Sequence, residues 1–193
     1  MSKLEIKSIC PANKQEWRKW LEQNHLIEDA VWLIVFKKSS KTPTISWSDA
    51  VDEALCFGWI DSVKKSIDSE RYMQYYGKRK ANSIWSKINK DKVAHLSQQD
   101  LIFPAGLEII EKAKQNGNWV LLDDVEKLII PNDLEESFKI YPSSKDFFLS
   151  LSKSVRKGLL AWIVMAKRAE TREKRVREVA EKAGEHLLPK AFS

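Results

Sequence analysis

The chain has 193 residues, a formal charge of +6 and an apolar fraction of 43%. That length suits one ordinary domain, or one domain with a helical extension, and it buries enough surface to fold without disulfides or a metal. Eight tryptophans and sparse Gly and Pro exclude a disordered or collagen-like chain, and Cys10 and Cys56 are too few and too isolated for a disulfide framework. Cys56 falls on an apolar helix face, which predicts a buried, reduced thiol. The first residues, MSKLEIKSICPANKQEW, hold no apolar core of a signal peptide. The longest apolar run, 159–166, is far shorter than the ~20 residues of a membrane-spanning helix. The expected location is cytoplasmic.

Residues 4–9 alternate apolar and polar side chains, the pattern of an edge strand. Pro11 is expected to open a helix carrying Trp17, Trp20 and Leu21 on one face. Residues 31–36 form a continuous apolar run, which predicts a central strand covered on both faces. Ser46 is the expected N-cap of the next helix, with Asp49 three residues on completing a capping box. That helix should end at Gly58, a C′ glycine. A strand over 59–67 would set Trp59, Val63 and Ile67 on one face with Asp61 and Lys65. A turn at 68–70 and a returning strand over 71–76 complete a hairpin. Ser83 is read as the cap of a helix over 84–96, and a further helix runs from Pro104 to Asn116, stopped by Gly117. Helices follow over 133–140, 145–151, from Ser152 onward, and over 171–183. The Ser152 helix should carry Val155, Leu159, Trp162, Ile163 and Ala166 inward, and Gly158 within it implies a close neighbour. The last helix should bury Val176, Val179, Ala180 and Ala183.

This order of elements predicts an α+β fold. A small mixed or antiparallel sheet with packed helices occupies residues 1–90, and a helical subdomain occupies residues 91–193, either packed on the first or continuous with it. No glycine-rich phosphate loop and no Cys/His or Asp/Asn/Gly metal spacing occurs, so no metal and no cofactor is expected. The three histidines are scattered. Catalysis would therefore rest on a cleft around Asp61 or Cys56, and the balance leans away from an enzyme.

Positive charge is concentrated in two stretches. Residues 64–92 carry nine basic and three acidic residues, and residues 153–182 carry ten and four. In the first, Lys and Arg alternate with aromatic rings. This favours an anionic or aromatic ligand held by Trp59, Asp61, Lys64, Tyr75, Arg79 and Trp85, with Arg supplying bidentate contacts and rings supplying stacking. The alternative is a nucleic-acid surface built from Lys78, Arg79, Lys80, Lys87, Arg168, Arg172 and Arg175. Much of the last helix, however, is self-paired at i,i+4, including Glu173 with Arg177.

Several segments carry a family resemblance: EWRKWLEQNH, VWLIVFKK, SWSDAVDEALCFGWIDS, SIWSKINK, PAGLEIIEKAKQNGNW, and the helical tail FFLSLSKSVRKGLLAWIVMAKRAETREKRVREV. Together they resemble the YdeI/OmpD-associated family, also described as bacteriocin-protection proteins. The resemblance implies a bacterial protein of stress or antimicrobial-peptide resistance, with no catalytic residues to carry over. It also implies a periplasmic location, which the N-terminal sequence argues against. The family commonly has a Pro-Arg-Arg-Pro-like run before SIWSKINK. Here Arg79 is kept, while Lys78 and Ala81 stand where prolines are usual, so the loop is less rigid. The first half also resembles small α+β domains of the YjbR type, which are labelled DNA-binding.

Overall fold

The computed structural model describes residues 6–193. They form two compact units that divide between Trp119 and Val120. The first contains β1 (Ser8–Ile9), α1 (Lys14–Asn24), β2 (Ala30–Phe36), α2 (Trp47–Cys56), β3 (Trp59–Ser66), β4 (Arg71–Lys78), α3 (Lys87–Gln98) and α4 (Pro104–Gln115). The second contains α5 (Asp123–Glu126), α6 (Asn132–Ile140), α7 (Ser144–Ser150), α8 (Lys153–Val164) and α9 (Ala169–Gly184). The fold is α+β, as expected, and α3 and α4 pack with α2 in the first unit. Among the described residues, no helix is long and apolar enough to cross a membrane.

The sheet order is β1-β2-β4-β3, with β1 parallel to β2 and the other pairs antiparallel. Leu4 and Glu5 of the expected first strand lie outside the described residues. Burial in β2 alternates: Val31, Leu33 and Val35 are buried, while Ala30, Trp32, Ile34 and Phe36 are half-exposed. The expectation of a strand covered on both faces is corrected accordingly. The core lies on one face of the sheet, where Val31, Leu33, Tyr76 and Trp59 meet Trp17 and Leu21 of α1 and Ala50, Val51 and Ala54 of α2.

Local chemistry sets the helix starts. Asn13, not Pro11, caps α1, its side chain accepting from the Glu16 amide at 3.0 Å. Ser46 caps α2 as expected, accepting from the Asp49 amide at 3.1 Å. Ser86 rather than Ser83 caps α3, because the backbone just before it is engaged elsewhere. The Ser83 amide closes a turn onto the Lys80 carbonyl, and the Trp85 amide bonds the Asn118 carbonyl.

β3 does not keep simple alternation. Asp61 pairs with Tyr76, but Lys64 pairs with Gln74, so three residues on β3 span two on β4. This bulge brings Lys64 onto the face of Trp59 and Asp61 and turns Lys65 to the other face, opposite Met73. Trp59, Asp61 and Lys65 therefore do not share one face.

Two glycines permit the crossing of α2 and α4. Gly58 has φ +73°, and a Cβ there would lie 2.9 Å from the Ala105 carbonyl oxygen. A Cβ at Gly106 would overlap the Cys56 carbonyl oxygen. The helix layer also holds a buried carboxylate. Glu53 is fully buried, with Arg18 Nη1 at 2.7 Å from one oxygen and Lys14 Nζ at 3.2 Å from the other. Arg18 is further fixed by the Leu101 carbonyl and by the rings of Phe57 and Phe103.

In the second unit, α9 buries Val176, Val179, Ala180 and Ala183 against Leu159, Leu160 and Ile163 of α8 and Leu134 and Phe138 of α6. The inward face of α9 is the expected one. α8 ends at Val164, so Ala166 falls outside it, and Leu160 takes an inward place instead. A Cβ at Gly158 would lie 3.0 Å from the Phe192 ring, which is the close neighbour its presence implied. Arg172 bridges α9 to Asp133 of α6 with two hydrogen bonds, at 2.7 and 3.1 Å.

Glu53→Ala removes the buried partner of Arg18 and leaves it Glu22 at 3.4 Å, and is expected to cost about 2 kcal/mol. Urea denaturation followed by circular dichroism should show the midpoint fall with an unchanged m-value.

Candidate functional site

β4 ends where the chain turns away at Arg79, whose amide donates to the Gly58 carbonyl at 2.8 Å. The Arg79 side chain folds inward and is only 6% exposed. Its guanidinium carbon sits 3.5 Å from the centre of the Trp85 ring, and Nη2 donates to the Ile84 carbonyl at 2.7 Å. Nε and Nη1 are buried without a protein partner. Burial pulls the Arg79 pKa down to about 10, with the charge of Asp61 acting in the opposite direction. The group thus remains charged at neutral pH.

Trp59 is fully buried beside it, and its indole Nε1–H also has no partner. Trp59 and Arg79 line a cavity of about 190 Å³. Its other walls come from His25 and Leu26 after α1, from Phe57 and Gly58 at the α2–β3 corner, and from the first turns of α4. Lys78 and Lys112 add positive charge to the rim. Lys112 is paired with Glu108, which holds that carboxyl below its usual range, and Lys78 is paired with Asp29 at 2.9 Å. Two of the residues lining the pocket thus carry buried donors without a protein partner, a guanidinium and an indole N–H.

The six residues expected to form one ligand site divide into three places. Trp59, Arg79 and Trp85 come together as described. Asp61 and Lys64 lie further along the core-side face of the sheet. Asp61 accepts hydrogen bonds from Trp47 Nε1 at 2.9 Å and Gln74 Nε2 at 3.4 Å. Lys64 Nζ sits 3.9 Å over the Tyr72 ring and lines a 480 Å³ hollow with Trp47, Thr44 and Ser46. Tyr75 is on the opposite face, edge to face with Trp32 at 5.2 Å. Trp47, Lys112 and His25 join these places without a signal for that role in the sequence. Each reaches its position through tertiary packing; the helical spacing of Trp47 with Ala50, Val51 and Ala54 marks it as a core residue, whereas it is 47% exposed and donates to Asp61.

The basic residues of the nucleic-acid alternative are mostly engaged within the protein. Lys78 holds Asp29, Arg79 is buried, and Lys87 pairs with Asp91 at 2.6 Å. Arg172 holds Asp133, and Arg175 donates to the Trp162 carbonyl and stacks on its ring. Lys80 and Arg168 are exposed. Within α9 the expected Glu173–Arg177 pair forms at 2.9 Å.

Residues 9–109 match the family described as Domain of unknown function (DUF8412), a stretch of just over half the chain. The chain belongs to the DUF8412 family. Residues 127–186 match a second family, described as Bacteriocin-protection, YdeI or OmpD-Associated, so the resemblance to that family is borne out over the helical second unit. No curated protein matches the chain. No solved structure matches it either. The DUF8412 match contains Trp59, Arg79 and Trp85, so the cavity belongs mainly to that part of the chain.

The buried thiol of the DUF8412 unit is poorly suited to nucleophilic attack. Cys56 is fully buried, and burial together with the Glu53 charge pushes its pKa up to about 11. The raised value contributes stability that is fully present below the ordinary thiol pKa near 9 and is lost as pH rises toward 11. Ellman titration of the native protein at pH 8 should therefore count one fast thiol, the exposed Cys10, and a second only after unfolding. Rapid labelling of Cys56 in the folded protein would return the thiol to consideration as a nucleophile.

Proposed function

We propose that this protein is a non-enzymatic binding protein whose DUF8412 unit takes a small oxyanion, a carboxylate or phosphate group, between Arg79 and Trp59. The observation that carries the reading is the pair of buried, unpartnered donors on two residues lining one cavity. A buried N–H left without an acceptor costs about 1–3 kcal/mol, and more when the group is charged. An oxyanion removes that cost at both residues, and a guanidinium held over an indole ring presents its N–H groups without further loss of freedom. Trp85 is then a platform for Arg79 rather than a ligand contact. The cavity, about 190 Å³, is sized for a compact group such as phosphate or a short carboxylic acid. A role in resistance to antimicrobial peptides fits the family described for residues 127–186, with ligand binding in the first unit and a separate task for the second.

Titration of the full chain with sodium phosphate and sodium acetate, followed by tryptophan fluorescence, tests the assignment. Saturable changes are expected with at least one of the two. Arg79→Met keeps the stem packed on Trp85 and should abolish the response, while Lys112→Met should weaken it by a smaller factor. Because the guanidinium must be charged, binding should hold steady to about pH 9 and weaken as pH rises through about 10. A parent protein indifferent to both anions, or an Arg79→Met variant that responds like the parent, would overturn the proposal.

A further inference from the structure

The second face of the sheet carries apolar and aromatic side chains that belong to neither buried cluster. Register places Trp32 opposite Tyr75, Ile34 opposite Met73, and Ile60 opposite Gly77. All five of these side chains other than glycine are half-exposed, whereas the residues alternating with them in β2 are buried in the core of the first unit. The charged side chains that register sets on this face are Lys65 and Arg71, both basic. Arg71 is held by Asp68 at 2.7 Å, while Lys65 Nζ lies 4.9 Å over the Trp32 ring. Toward the end of β4 the face opens into a hollow of about 640 Å³ walled by Ile60, Tyr75 and Gly77 and rimmed by Lys80, Ser62 and Ser83. Asp29, the carboxylate lining that hollow, is neutralised by Lys78.

We infer that this face binds single-stranded nucleic acid, with bases stacked on Trp32 and Tyr75 and phosphates met by Lys65 and Lys80. Flat aromatic rings on a sheet accept any base, because every base has a π-face, and flanking cations track the backbone. The absent Cβ of Gly77, which would stand 3.2 Å from the Tyr75 ring, keeps the floor beside that ring low enough for a flat group. Charge selects this occupant over a second copy of the chain. A self-complementary contact on this face would set Lys65 and Arg71 against their own copies, with no carboxylate at the facing register positions to offset them. A rigid duplex keeps its bases stacked inside and offers the rings little to bind. The site differs from the surface expected from the sequence. It uses Trp32 and Lys65, and it does without Lys87, Arg172 and Arg175, which hold partners of their own.

The test is fluorescence anisotropy of the full chain with a labelled oligothymidylate of about twelve nucleotides at low salt. Saturable binding is expected, weaker for a duplex of the same length. Trp32→Ala and Tyr75→Ala should each weaken binding roughly five- to hundredfold, and Trp32→Phe should retain most of the affinity. Lys65→Ala should lower the slope of log affinity against log salt by about 0.7, the share of a single phosphate on a single strand. Lys112→Met, which alters the oxyanion cavity and not the hollow on this face, should leave oligonucleotide binding within a few-fold of the parent, which separates the two sites. The inference is overturned if the parent does not bind at low salt, if the duplex binds as tightly, or if folded Trp32→Ala and Tyr75→Ala variants bind like the parent. Sedimentation showing a dimer that Trp32→Ala dissociates would assign the face to self-association and overturn it equally.

Discussion

The candidate site depends on how the protein tolerates a guanidinium buried to 6% exposure without a carboxylate in contact. An unpaired buried charge is costly, so the compensation must come from dipoles and π-faces. Asp61 lowers the energy of the cation at a distance, but its oxygens accept from Trp47 and Gln74. What Arg79 contacts directly is the face of Trp85 and the carbonyl of Ile84. Both belong to the segment before α3, and that segment has to stay irregular to present them. A helix begun at Ser83 would draw the Ile84 carbonyl into an intrahelical bond and carry Trp85 around the helix axis. The late start of α3 at Lys87 is thus tied to the burial of Arg79.

The opposite wall of the cavity has its own requirement. His25 follows α1, Phe57 and Gly58 follow α2, and Ala105 lies in the first turn of α4, so three elements must meet around the cavity. Glu53 and Arg18 join α1 to α2, and the rings of Phe57 and Phe103 pack at 4.2 Å with Arg18 over both. Gly58 and Gly106 let α4 approach the end of α2 at backbone distance. Any larger residue at these positions would widen the crossing and spoil the cavity before it touched Arg79.

Much of the fold is legible in the sequence because its signals are local. Ser46 and Ser152 cap helices through their own side chains, and Gly58 adopts the positive φ that ends α2. The stripe on α9 needs only its 3.6-residue period. The failures have nonlocal causes. Ser83 and Ser86 both look like caps, and the choice is made by Arg79, Lys80 and Asn118, none of which a helix signal contains. The β3 bulge depends on pairing with β4, so the alternation read along β3 alone puts Lys65 on the wrong face. The same limit applies to the site. Composition marks the basic and aromatic stretch but cannot separate a cation stacked in the interior, such as Arg79, from one left in water, such as Lys80.

The sheet explains why that stretch reads, along the chain, as a single surface. Successive residues of a strand point to opposite faces, so a run of alternating rings and cations is divided between two environments. Tyr76 faces Trp17 in the core, where burial and the Asp61 charge push its phenol well above the usual range, while its neighbour Tyr75 faces Trp32 on the other side. Arg79 then lies at the strand end, where the chain leaves the sheet and the distinction of faces lapses. It lines both the small cavity on one side and the larger hollow on the other. A ligand at one of these could reach the other through this single side chain, because any shift of the guanidinium off Trp85 alters the wall of both.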